Sequence, residues 1–85
     1  MADVKIYTTP WCPYCHRAKA LLSRKGVAFT EIDVDGDSVK RQWLAQVTGQ
    51  RTVPQVFIDG KSVGGCDDIH ALDGRGELDR LLGRA

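Results

Sequence analysis

Cys12 and Cys15 enclose Pro13 and Tyr14, and a third cysteine, Cys66, stands far along the chain. Two thiols in a Cys-x-x-Cys pair either exchange with disulfides or hold half of a metal site. On a helix this spacing sets the sulfurs about one turn apart, close enough to meet without distortion of the backbone. A first sulfur at the helix N-cap faces the unpaired N–H groups of the opening turn, which together with the helix dipole favour thiolate over thiol. Hydrogen bonds to a charged acceptor contribute about 1.5–3 kcal/mol each, against at most about 2 kcal/mol for the dipole, so the local donors dominate. Two such donors are expected. A stabilised thiolate is also a good leaving group, so a mixed disulfide on Cys12 turns over when a second thiol attacks it.

The metal reading has its own residues. Cys66 and His70 form a Cys-x-x-x-His pair that could complete a zinc site with Cys12 and Cys15. About fifty residues separate the two halves, however, where compact zinc modules use about 12–20. The redox reading is preferred because the first pair falls between a strand and a helix of a βαβ unit, the setting in which Cys-x-x-Cys does thiol chemistry.

That unit is legible in the periodicity. Val4 to Thr8 alternates apolar and polar residues as a half-buried strand does. From Pro13 to Lys25 the residues Ala18, Leu21 and Leu22 recur at helical spacing, with Pro13 suited to the first turn and Gly26 as the stop. Val27 to Val34 reads as a second strand, ended by Asp35-Gly36-Asp37. Asp37 or Ser38 then caps a second helix whose stripe of Val39, Trp43, Leu44 and Val47 should pack on the sheet, with Trp43 in the core and Gly49 as the end. Gln55 to Ile58 and Lys61 to Val63 form a hairpin on the tight turn Asp59-Gly60, closed by Gly64-Gly65. Asp67 to Leu82 is one bent helix or two short ones, interrupted at Gly74 and Gly76.

Composition narrows the function. The chain has 85 residues, 42% hydrophobic and 27% charged, with 12 Lys+Arg against 11 Asp+Glu. This is the size of a single domain, 1–85, with one core. A formal net charge of +1 without charged blocks argues against a nucleic-acid partner that binds by neutralising phosphates. No segment approaches the roughly 18 apolar residues of a membrane span, and residues 1–7 lack the basic and apolar regions of a signal peptide. An odd count of three cysteines does not suit a secreted disulfide scaffold. These features imply a cytoplasmic protein, and a monomer is expected.

Three segments in order carry a resemblance: Thr8-Thr9-Pro10-Trp11-Cys12-Pro13-Tyr14-Cys15, Thr52-Val53-Pro54, and Gly64-Gly65-Cys66-Asp67-Asp68. The chain resembles the dithiol glutaredoxins over nearly its whole length, most of all the short bacterial members of the third type. The resemblance implies an α/β, thioredoxin-like fold, a four-stranded mixed sheet flanked by helices. It also implies a glutathione-dependent thiol-disulfide oxidoreductase that acts through Cys12 and Cys15, with glutathione as co-substrate and no tightly bound cofactor or metal. Its protein partners would be disulfide-containing or glutathionylated proteins, ribonucleotide reductase among the candidates.

The same resemblance implies a glutathione site. A cis Val53-Pro54 peptide would set the Val53 backbone beside Cys12, next to Thr52, to pair with the glutathione cysteine. Gly65 and the Cys66 and Asp67 N–H groups would hold the γ-glutamyl carboxylate at a helix start, with the Asp67 or Asp68 side chain on its ammonium. Both acids also suit simple helix capping. Tyr14, with Tyr7 and Trp11 nearby, would supply apolar surface. Thr9 stands where many members carry Lys, and Arg41 or Arg51 would meet the glycine carboxylate. His16 and Arg17 read as a solvated helix face. Cys66 reads as a partly buried thiol or a secondary glutathionylation site. Two other functions remain open: a reductant fed by a flavoprotein reductase, and a glutathione-ligated [2Fe–2S] site, which Pro13 disfavours because cluster-binding relatives carry Gly or Ser there.

Overall fold

The alternation of Val4 and Ile6 with Lys5 and Tyr7 opens the chain as strand β1 (Val4–Thr8). Helix α1 (Pro13–Arg24), β2 (Thr30–Asp33), α2 (Ser38–Thr48), β3 (Gln55–Ile58), β4 (Lys61–Gly64), α3 (Cys66–Gly74) and α4 (Glu77–Leu81) follow. This computed structural model describes residues 2–83; Met1, Arg84 and Ala85, at the ends of the expected 1–85 domain, lie outside the described residues. The strands form one mixed sheet in the order β2-β1-β3-β4, with β1 and β2 parallel and the other neighbours antiparallel.

Period-two alternation gives the sheet two different faces. Val4 and Ile6 lie opposite Ile58 and Val56 in the β1–β3 register, and all four join Ala18, Leu21, Leu22, Ile69 and Leu78 in the main core. Tyr7 points the other way, into a smaller cluster with Val34 and Leu44 under α2.

The helix ends follow from their sequences. Gly26, at φ 70°, lets α1 close with Gly26 N–H on the Ser23 carbonyl and Val27 N–H on that of Leu22, the paired bonds of a Schellman turn. Asp37 caps α2 by accepting from Lys40 N–H at 2.9 Å. Asp59 and Gly60, at φ 52° and 80°, supply the two positive φ angles that a two-residue hairpin needs. Lys25 at the end of α1 bridges to Asp73 on α3 and, at 3.2 Å, to Asp79 on α4.

Four sequence expectations change. The second strand begins at Thr30, because Val27 and Phe29 are spent packing against the main core. The last segment takes the second of its two expected forms, two short helices, but the first starts one residue early, at Cys66 behind Gly65. Trp43 is not core: it is 43% exposed, with Val39 at 76% and Val47 at 48%, while Leu44 alone of the stripe is buried. Helix α2 covers this face of the sheet, and none of the described residues lies over its outer side. Trp43 instead lies against the sheet, stacked 6.0 Å from Phe57 and tilted 5.6 Å from Tyr7. Tyr7 is consequently buried in that aromatic group and offers no surface to a ligand, whereas Trp11 is exposed.

Candidate active site

The last β1–β3 pair, Tyr7 with Gln55, brings the loop after β1 against the loop before β3. Cys12 therefore stands beside Val53-Pro54, whose peptide bond is cis as the resemblance implied. Cys12 is the N-cap of α1 and Pro13 its first residue. The Cys12 Sγ accepts from Cys15 N–H at 3.4 Å and its thiol donates to the Val53 carbonyl at 3.6 Å. One backbone donor, the Cys15 N–H, reaches the sulfur where two were expected; Pro13 at the first helical position costs none, since an N-cap side chain accepts from the second or third residue of the helix.

The two cysteines are unequal. Cys12 is partly exposed and Cys15 fully buried, both as free thiols. Burial pushes the Cys15 thiol up to about 11; the Thr9 backbone and Lys19 pull against this rise while Cys12 adds to it. Cys15 is thus held protonated behind a more accessible partner. Beneath them, Thr8 donates to Glu31 at 2.7 Å and Lys19 to the same carboxylate at 2.9 Å, which lowers the Glu31 pKa. His16 and Arg17 lie on the exposed helix face as expected, His16 against the Pro10 carbonyl and Arg17 5.7 Å over the Tyr14 ring.

A cleft of about 270 Å³ is lined by Tyr14, Gln50, Thr52, Val53, Pro54, Gly65, Cys66, Asp67 and Asp68. Eight expected binding residues thus come together there. Arg41 and Arg51 stand beyond them, around an adjoining depression on α2 where the Arg41 guanidinium donates to the Arg51 carbonyl at 3.3 Å. The α3 N-terminus opens at the cleft, and its two acids divide the work. Asp68 Oδ2 accepts from Gly65 N–H at 2.9 Å, the one half of a capping box that a glycine N-cap allows, whereas Asp67 is exposed and makes no side-chain hydrogen bond among the described residues.

Glycine is needed twice at this end. A Cβ on Gly64, at φ 101°, would fall 2.3 Å from Asp68 Oδ2, and one on Gly65 would lie 3.0 Å from the Pro54 carbonyl. Cys66 is buried with its sulfur 3.5 Å from His70 Nδ1, and burial, together with the Asp67 carboxylate, raises its pKa. Among the described residues no three His, Cys, Asp or Glu side chains gather as a metal-ligand set.

Sequence reasoning missed Gln50, on the cleft wall, and Gln55, beneath it. The fully buried Gln55 amide donates to Gln50 Oε1 at 3.1 Å and to the Thr52 carbonyl at 3.0 Å, fixing the Thr52–Pro54 loop from below. The available signal was a polar residue opening an otherwise apolar strand.

The glutaredoxin family profile matches residues 4–63. The chain belongs to the glutaredoxin family. It is 60% identical over 82 residues to glutaredoxin 3 of Escherichia coli, covering 96% of this chain and 99% of that one. Among solved structures it is similar to the Brucella melitensis glutaredoxin (52% identity, TM-score 0.89, 99% and 91% of the two chains). A buckwheat glutaredoxin–glutathione complex also aligns (36% identity, TM-score 0.91, 96% and 77%). The fold is the thioredoxin-like one, and the activity is thiol-disulfide oxidoreduction.

Proposed function

We propose that this chain reduces glutathione mixed disulfides and protein disulfides with electrons from glutathione, through Cys12 as nucleophile and Cys15 as resolving thiol. The observation that carries the reading is the asymmetry of the pair: Cys12 stands partly exposed at a helix N-cap, 3.6 Å from the carbonyl of Val53 on the cleft wall, and Cys15 is buried behind it as a thiol. The Cys12 thiolate attacks the glutathione sulfur of a mixed disulfide, forming the Cys12–glutathione bond, and the former partner leaves as a thiolate that takes up a proton. A second glutathione thiolate attacks that glutathionyl sulfur, releasing Cys12 and carrying off oxidised glutathione. On a protein disulfide, Cys12 bonds to one sulfur. Cys15 then gives up its proton and attacks Cys12, so that the substrate leaves as a dithiol and the Cys12–Cys15 disulfide awaits two glutathiones.

The cleft suits a tripeptide with two carboxylates and one ammonium. The Cys66 and Asp67 N–H groups at the start of α3 take the γ-glutamyl carboxylate, and Asp67 takes its ammonium. The Val53 backbone pairs with the cysteine, Thr52, Pro54 and Gly65 shape the walls, and Tyr14 covers the apolar part. Arg41, with Arg51 beside it, meets the glycine carboxylate. Asp68 acts through the cap alone. The working unit is a monomer of one domain, 1–85, placed in the cytoplasm, where thiols are kept reduced, with ribonucleotide reductase among its candidate protein partners. No helix among the described residues is long and apolar enough to cross a membrane.

The test is NADPH oxidation with a small mixed disulfide, electrons being supplied either by glutathione with glutathione reductase or by thioredoxin reductase. Turnover with the first system alone is expected. Turnover with the second alone would refute the glutathione site.

A further inference from the structure

The depression around Arg41 and Arg51 lies beyond the cleft. It has a volume of about 560 Å³, roughly twice that of the cleft beside Val53, and Ser38, Gln42 and Gln46 of α2 line it beside the two arginines. Arg41, Arg51, Thr52 and Val53 also close around a tight crevice between the two hollows, which adjoin across it as one surface groove with no open channel between them. On the glutathione reading of the cleft, on which this inference rests, the glycine carboxylate ends at Arg41. Glycine has no side chain to enter the depression, and no residue follows it.

The charges along the groove are polarised. Asp67 and Asp68 stand at one end. At the other, α2 contains Lys40 and Arg41 and no acid from Ser38 to Thr48. Among the described residues neither Arg41 nor Arg51 pairs with a carboxylate; the nearby Asp37 is engaged as the α2 cap and lies 3.8 Å from Lys40. A polypeptide whose cysteine takes the register of the glutathione cysteine runs its preceding residues toward Asp67 and its following residues over the depression. We propose that the groove selects disulfide-containing polypeptide segments with acidic residues after the reacting cysteine and a basic residue before it. The selection acts only while the polypeptide's own sulfur is bonded to Cys12. When the glutathione sulfur is bonded there instead, the polypeptide has already left.

The test uses the full chain with Cys15→Ser, equilibrated with reduced and oxidised glutathione and, in separate reactions at equal concentration, one of two isomeric peptides, acetyl-Lys-Ala-Cys-Ala-Glu-Glu-amide or acetyl-Glu-Glu-Ala-Cys-Ala-Lys-amide. Each exchange replaces one thiol by another on the Cys12 sulfur, so no net oxidation occurs, and intact mass gives the ratio of peptide adduct to glutathione adduct in each reaction, from which the two peptides are compared. The first peptide should exceed the second by about fivefold at low salt, the scale of two or three exposed ion pairs, and the excess should fade near 0.5 M salt. Adding Gln42→Glu and Gln46→Glu, both exposed and outside the glutathione contacts, should bring the ratio to unity or reverse it. Flank effects on peptide thiol acidity are the same for every protein variant and cancel in that comparison. A ratio unchanged by these substitutions, with normal glutathione adduct formation, would overturn the inference and leave the glutathione reading standing. Absence of a Cys12–glutathione adduct would overturn both.

Discussion

Asp67 and Asp68 are adjacent acids at one helix start, and their separation into different roles can be measured by truncating each to Ala. Asp68 Oδ2 accepts from Gly65 N–H at 2.9 Å, so Asp68→Ala leaves a helix-start donor without its partner. Loss of such a cap costs about 1 kcal/mol, and in a chain of this size that lowers Tm by about 4–8 °C. Asp67 forms no cap bond among the described residues, so Asp67→Ala should move Tm by less than about half as much, the loss being a helix-dipole contribution alone. Its cost falls on the ligand: an ion pair with an ammonium at a partly exposed site contributes about 1 kcal/mol, which is a rise of about fivefold in the KM for glutathione. Thermal melts followed by circular dichroism, together with glutathione titrations in the coupled assay, read the two effects separately. If Asp67→Ala melted early while Asp68→Ala carried the rise in KM, the assignment drawn from the capping geometry would be refuted.

Gly64→Ala should unseat the Asp68 carboxylate and strain a residue at φ 101°, costing about 1–3 kcal/mol of stability, which denaturant melts check. Gln55→Leu removes the donors that hold Gln50 and Thr52, so a stability loss of about 1–3 kcal/mol should accompany a weaker glutathione KM, whereas an unchanged KM would remove Gln55 from the support of the loop. Cys15 ionises near 11 when folded, above an ordinary thiol value of 9.0, so the unfolded chain gives up this proton first. The stability that Cys15 contributes is therefore full below about pH 9 and is lost as pH rises through about 11, by about 1–2 kcal/mol after discount for screening. Urea midpoints at these two ends should fall less steeply in Cys15→Ala than in the parent chain, and equal slopes would contradict the burial argument.

The parts of the fold that were legible in the sequence are those fixed by local chemistry. Pro13 and Gly26 bound α1, Asp59-Gly60 can make only a tight hairpin turn, and Val4 and Ile6 show a strand with one buried face. The parts that were not legible depend on what lies opposite. The stripe of Val39, Trp43 and Val47 has the period of a buried helix face, but nothing in α2 itself reveals that its outer side meets no second layer. Phe29 is apolar enough for a strand yet is used in packing before the strand begins. At the site, the cysteine spacing and three motifs in register led to Cys12, Cys15 and the eight expected residues that line the cleft. The division between Asp67 and Asp68, the single donor that reaches Cys12 and the support from Gln55 emerge only from directions in space. Two adjacent carboxylates are alike in sequence until a backbone N–H lies beneath one of them.

The most direct test of the unequal dithiol compares Cys12→Ser and Cys15→Ser on two substrates, a glutathione mixed disulfide and an intramolecular protein disulfide. Cys12→Ser should lose both activities to the uncatalysed rate. Cys15→Ser should keep reduction of the glutathione mixed disulfide, which needs only Cys12, and lose most of its activity on the protein disulfide. A Cys15→Ser protein inactive on both, or a Cys12→Ser protein active on either, would contradict the assignment of nucleophile and resolving thiol.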